Sequence, residues 1–211
     1  MREMLRGVFA VTLLVVLVVY PGAQRAEGHL ATWGSWEITR QNLDMLFPDS
    51  TKYLRKRYVF KEAEIEKIES FLGFALYPED KTPEFYIALR EEGSQERLLG
   101  VAIFIDPRVK PKVVGGEVVK LEVGIGVDTH GRVKTVRLYD YKGNSSLTRP
   151  AFLKQFKGRS LAHDFSVSAT GGRGELGFLK VRPVPGEEEE SQLIANAARE
   201  ALYLMKVALG S

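Results

Sequence analysis

Three stretches between Glu84 and Tyr141 follow a two-residue period, and that restricts the chain to folds built on hairpin-linked strands. Phe85, Ile87 and Leu89 alternate with Glu84, Tyr86, Ala88 and Arg90, and Gly93 follows in a turn. Leu98 to Ile105 is apolar on both faces, as expected of a central strand. Leu121, Val123, Ile125 and Val127 alternate with Glu122, Gly124, Gly126 and Asp128. The turn Asp128-Thr129-His130-Gly131 then leads into Val133 to Tyr141 as the second arm of a hairpin. Gly124 and Gly126 leave one face of their strand without side chains, so either another group approaches that backbone closely or the strand bends there.

Helical periodicity flanks this run. Trp36 to Leu46 reads as a short helix ended before Pro48, and Tyr53 to Val59 as a strand. Lys61 to Leu72 reads as a helix with Ile65, Ile68 and Leu72 on one face, Glu62 and Glu64 at its start and Gly73 at its end. Thr148 is placed to cap a short helix with Pro150 in its first turn, Phe152 and Phe156 on one face and Gly158 as its stop. Phe178 to Arg182 is a last strand candidate. Ser191 to Leu209 carries Ile194, Ala197, Ala198, Ala201, Leu202 and Met205 as one apolar stripe. The expected class is α+β: a mainly antiparallel twisted sheet with flanking helices and a C-terminal amphipathic helix.

The first residues read differently. Arg2 and Arg6 precede an uncharged apolar run from Val8 to Tyr20, followed by Pro21-Gly22-Ala23. This is the layout of a secretory signal, and the run is short for a stable membrane span. Cleavage after Ala23 puts Pro21 at the −3 position, and cleavage after Ala26 puts Gln24 there; neither follows the small-x-small rule. Residues 1–26 are therefore expected to be a signal peptide or an uncleaved N-terminal anchor. Residues 27–211 are expected to form one exported domain, periplasmic or on the extracytoplasmic face of a membrane.

The 211 residues are 45% hydrophobic and 27% charged, an ordinary globular balance. A formal charge of +3, with no Lys/Arg block, gives no indication of nucleic-acid binding. The lack of cysteine excludes disulfides, zinc–thiolate sites, thiol catalysis, Cys-ligated iron–sulfur clusters and a lipoprotein anchor. His29, His130 and His163 are widely separated and form no metal or catalytic pattern, and no nucleophile–base set stands out.

Gly172 to Gly177 satisfies G-x-G-x-x-G in letters, but Phe178-Leu179-Lys180-Val181 reads as a strand where a phosphate-binding motif needs a helix. Glu187 to Glu190 precede the last helix and suit the positive end of its dipole. Asn144-Ser145-Ser146 matches an N-glycosylation acceptor.

The order of these segments resembles the FMN-binding domain of exported redox proteins. That family includes flavin-carrying subunits of the sodium-pumping NADH:quinone reductase and of related ion-pumping complexes. The likeness is carried by Leu46-Phe47-Pro48-Asp49, Phe71-Leu72-Gly73, Phe85-Tyr86-Ile87 and Leu99-Gly100-Val101-Ala102. It continues in Val123-Gly124-Ile125-Gly126-Val127-Asp128 with Gly131-Arg132-Val133, in Leu138-Tyr139-Asp140-Tyr141, and in Arg149-Pro150-Ala151-Phe152. Gln155-Phe156-Lys157-Gly158-Arg159 and the helix Ala195 to Leu202 complete it, so that it spans roughly residues 43–207.

The resemblance implies FMN as cofactor and a membrane redox complex or other electron-transfer protein as partner. It also implies that Tyr141, Gln155, Phe156 and Gly158 line the isoalloxazine or phosphate region. The family's S-G-A-T-x-S/T attachment motif aligns with Pro185 to Ser191, where only Gly186 and Ser191 match. Glu188 stands at the attachment position, so covalent flavin is not expected. The other threonine candidate, Thr170 in Ser168-Ala169-Thr170-Gly171, lies too early and precedes no expected helix. Four carboxylates also oppose a phosphate at that helix start, which leaves Lys142, Lys157 or Arg159 as alternative phosphate anchors. A flavin-free binding or assembly module of the same fold is the alternative reading.

Overall fold

A computed structural model describes residues 35–107, 113–114, 117–118, 120–170, 172 and 179–210. The N-terminal apolar run, His29 and most of Gly172 to Gly177 lie outside the described residues.

The fold is α+β. Helix α1 (Trp36–Leu46) leads into strand β1 (Lys52–Arg57), helix α2 (Glu62–Leu72) and the long hairpin β2 (Glu84–Glu92) and β3 (Gln95–Ile105). A two-residue ladder, β4 (Val113–Val114) with β5 (Glu117–Val118), precedes the hairpin β6 (Glu122–Val127) and β7 (Val133–Tyr139). A single turn of helix, α3 (Pro150–Leu153), and the terminal helix α4 (Glu188–Leu209) follow. The main sheet is antiparallel in the order β1-β2-β3-β6-β7, which leaves β3 in the centre, as its two apolar faces require, and β1 and β7 at the edges.

Each face of the sheet is covered. On one, Ile103, Ile105, Val123, Ile125 and Val136 pack against Ile194, Ala197, Ala198, Ala201 and Met205 of α4, forming the larger core. Helix α2 joins this layer through Phe71, whose ring stacks on Tyr203 at 3.9 Å between centroids. Arg199 of α4 closes the end of α2: its Nη2 donates to Phe71 O at 2.7 Å, a cation placed where a helix carries partial negative charge.

The opposite face is floored by small residues. Ala88 pairs with Gly100, Ala102 with Gly126, and Phe104 with Gly124, so three neighbouring strands present a shallow trough. Leu43, Leu46 and Phe47, from α1 and its C-cap, fill it together with Tyr86, Phe104 and Tyr139. A Cβ on Gly126 would stand 3.1 Å from the Phe47 ring, and one on Gly124 would run into the Tyr139 ring. The groups that approach the two glycines are therefore the protein's own aromatic rings, and every residue of β6 is buried. Two phenols fasten α1 to the sheet: Tyr139 Oη donates to Asn42 O at 2.7 Å and Tyr53 Oη to Asp44 Oδ1 at 2.9 Å. Burial pushes both phenols above the ordinary tyrosine range.

Two local expectations are corrected. Thr148 is not the cap of α3: it ends a 3-10 turn (Ser145–Thr148) that Asn144 caps by accepting from Ser146 N, and Arg149 occupies the N-cap position of α3. Leu179 to Arg182 forms no strand: Val181 makes an isolated parallel bridge with Val167, and Leu179 is likewise a lone bridge residue. Phe178 lies outside the described residues. Among the described residues, no helix is long and apolar enough to cross a membrane.

One buried acid opposes folding at high pH. Burial and the adjacent Asp80 push the Glu200 carboxyl up to about 9, so it stays protonated and donates to Asp80. A raised folded-state value means that folding takes up a proton between the unfolded value near 4.5 and about 9, and this stabilisation is lost as pH rises through that window. Glu200→Gln is expected to match the wild type below pH 4.5. At pH 8 it should exceed the wild type by more than about 1 kcal/mol, one pKa unit being worth about 1.4 kcal/mol. Urea denaturation across the pH range measures this. Gly124→Ala is expected to destabilise the fold by about 1–3 kcal/mol through overpacking against Tyr139, read as a lower urea midpoint at unchanged slope.

Candidate functional site

A cleft of about 580 Å³ opens between the segment around α3 and the strand-like return at 182–185. Arg149, Ala151, Phe152 and Gln155 form one wall, and Arg182, Pro183, Val184 and Pro185 the other, with Ser146 at one end.

Side chains hold the two walls together, because the return segment has almost no regular hydrogen bonding of its own. The Gln155 amide spans the gap at two points. Its Nε2 donates to Arg182 O at 3.0 Å and its Oε1 accepts from Arg182 N at 2.9 Å, replacing one rung of a ladder. Ser191, fully buried in the first turns of α4, accepts from Val184 N at 3.1 Å. A turn with Gly186 in the left-handed region (φ 78°) then feeds α4. Asn144 Nδ2 reaches across to Glu187 Oε1 at 3.3 Å, so the nitrogen of the glycosylation-like triplet is hydrogen-bonded.

Arg159 anchors the far end of this segment. Only 7% exposed, its guanidinium donates to three backbone carbonyls: Gln155 O at 2.8 Å, Leu179 O at 2.8 Å and Asp164 O. Burial lowers its pKa, opposed by the charge of Asp164. A second hollow of about 200 Å³ lies beside Arg159, and Gln155 and Arg182 line both, so their clamp forms the partition.

The residues expected to line a cofactor pocket are thus divided. Gln155 lines the cleft, and Gly186 follows Pro185 at its end. Phe156 is fully buried and packs edge-to-face on Phe152 at 5.6 Å, so it is a core residue. Gly158 (φ 83°) pins the segment to the sheet by donating to Val133 O at 2.7 Å. Tyr141 packs against the larger core with its ring beside Gly143 and does not line the cleft. Ser191 is committed to Val184, and the free-threonine candidate Thr170 sits in an exposed turn with its Oγ1 3.1 Å from Ser168 Oγ. Of the alternative phosphate anchors, Arg159 is consumed by carbonyls, and Lys142 does not line the cleft.

Sequence reading missed the two rim cations. Arg149 stands inside the quoted R-P-x-F motif, which offered a signal; Arg182 is brought there only by the Gln155 clamp. Both side chains are exposed, and neither has an ion-pair partner among the described residues. At the start of α4, Glu188, Glu189 and Glu190 fill the first turn, and Glu188 Oε1 already accepts from Gly186 N at 3.2 Å. Three carboxylates thus stand at the positive end of the helix dipole. Among the described residues, no group of three or more His, Cys, Asp or Glu side chains could hold a metal ion. Burial pulls the His163 imidazole below the ordinary histidine range, helped by the charges of Arg159 and Arg132, and its Nδ1 accepts from Ser160 N at 3.1 Å.

No family model matches the chain, and no curated protein matches it.

Arg159→Lys keeps a charge but loses the fork that reaches three carbonyls. It is expected to cost about 1.5–3 kcal/mol, the range for hydrogen bonds to a charged group. Limited proteolysis should then cut within 160–184 faster than in the wild type, while sites in β2 and β3 stay protected.

Proposed function

We propose that this chain is an exported FMN-binding protein of a membrane-associated electron-transfer system, holding FMN non-covalently in the cleft between residues 146–155 and 182–185. One observation carries the reading. Arg149, Ala151, Phe152, Gln155 and Pro185 come from separate stretches of the sequence, yet they line a single opening. The resemblance assigns Gln155 to the flavin region, and Pro185 stands in the stretch that aligns with the family's attachment motif, next to Gly186.

The cleft's chemistry fits a phosphate-bearing planar ligand. Its volume of about 580 Å³ falls in the usual range of about 300–1,000 Å³ for small-molecule sites. Phe152, Pro183, Val184 and Pro185 offer an apolar wall to a ring system. Arg149 and Arg182 offer charge-assisted donors to a phosphate. The carboxylates at the start of α4 argue against phosphate there and against covalent attachment. Bound flavin would supply the redox chemistry, and the protein's part is to bind and orient it. The N-terminal signal-like segment supports an extracytoplasmic setting, released or held at the membrane, with a membrane redox complex as partner.

The Glu187–Glu190 run favours a second reading, a flavin-free binding or assembly module of the same fold. Absorption and fluorescence titration of the purified protein with FMN separates the two. The expected result is saturable quenching that weakens at least tenfold in Arg149→Ala/Arg182→Ala. Glu188→Thr should leave affinity nearly unchanged, because the phosphate lies between the two arginines; marked tightening would move the phosphate to α4. A protein that neither carries nor binds FMN leaves the module reading.

A further inference from the structure

A second groove lies on the other flank of the α3 segment, and its lining is cationic. Lys134 and Arg137 of β7, with Lys154 and Lys157 beyond α3, surround a hollow of about 220 Å³. Among the described residues no acidic side chain lines it, and none of the four cations has an ion-pair partner. The opposite edge of the sheet behaves differently: Lys52 meets Glu96 at 2.6 Å, and Arg55 meets Glu84 at 3.9 Å. Charge pairing is the habit of that surface, and the groove departs from it.

The gathering of cations is built into the fold. A bulge in the β6–β7 ladder pairs Val133 with Val127 and Thr135 with Gly126, leaving Lys134 as the extra residue on an edge strand. Bulges at such edges re-aim a side chain. Lys134 Nζ stands 4.8 Å from the centroid of the Phe47 ring, so its ammonium leans toward the trough face while the strand that carries it borders the groove. From the other side, buried Leu153 precedes Lys154, and Gly158, next to Lys157, is tied to Val133 by a 2.7 Å hydrogen bond. Like charges held together repel, and a polyanion in the groove would remove that repulsion while gaining charge-assisted hydrogen bonds.

We propose that the Lys134, Arg137, Lys154 and Lys157 groove is a binding site for a phosphoryl group, separate from the cleft lined by Gln155. Its ligand is a soluble polyphosphate ester or the phosphate of an anionic lipid headgroup. No residue lines both hollows, so the proposal stands whether or not the cleft takes FMN.

The test is calorimetric titration of the full chain with sodium pyrophosphate, ionic strength being held constant with sodium chloride. A parallel arm measures co-sedimentation with phosphatidylglycerol vesicles against phosphatidylcholine vesicles. The expected result is saturable binding in one arm, which identifies the source, weakened at least tenfold in Lys154→Gln/Lys157→Gln. Both lysines are exposed, so the variant keeps its fold. Lys56→Gln/Lys67→Gln removes the same charge from exposed positions elsewhere and should bind as the wild type does. Equal loss in both double variants would reduce the effect to net charge and overturn the site. Binding in neither arm would overturn it as well.

Discussion

Between the sheet and the last helix, the described residues from Arg159 to Glu187 carry scarcely any regular secondary structure, and one guanidinium makes this possible. A backbone without a ladder needs partners for its carbonyls. Arg159 supplies them for three residues far apart in sequence, Gln155, Asp164 and Leu179. The Gln155 amide and the Ser191 hydroxyl continue the same substitution at Arg182 and Val184. Desolvating a cation is unfavourable, and here the compensation is donors fully used in a fixed geometry. The cleft exists because this segment is held open at a set distance from α3 instead of collapsing on the sheet.

Much of the architecture was legible from period alone. The hairpin order, the doubly apolar β3 and the stripe of α4 each left a pattern that only one arrangement satisfies. The glycines of β6 were legible as a close approach, though not which rings would make it, since Phe47 lies far away in sequence. Local chemistry misled where two capping devices competed: Asn144 claims the first turn, which puts Thr148 inside a turn and passes the next cap to Arg149. Residues 179–182 formed no strand because side-chain clamps, which have no periodicity, took the place of a ladder.

Site residues were harder to read for a related reason. Phe156, Gly158 and Ser191 belong to motifs that are also structural joints, and the fold uses them as joints. Gln155 is both, a clamp for Arg182 and a wall of the cleft. The segment from Thr148 to Lys157 presents one flank to the cleft and the other to the cationic groove. A short stretch of chain with Pro150 at its start and Gly158 at its end thus organises two surfaces of different character.

The fastening of α1 has a mechanical meaning. Any pull on the N-terminus reaches the described structure at Ser35, and from there passes into a helix bolted flat on the sheet by two phenols and one phenyl ring. Tension would load those contacts together, in shear, instead of unzipping the edge strand β1 one rung at a time. A tethered copy of this protein would resist extraction through its glycine trough, with the two hollows on the α3 segment left out of the line of force.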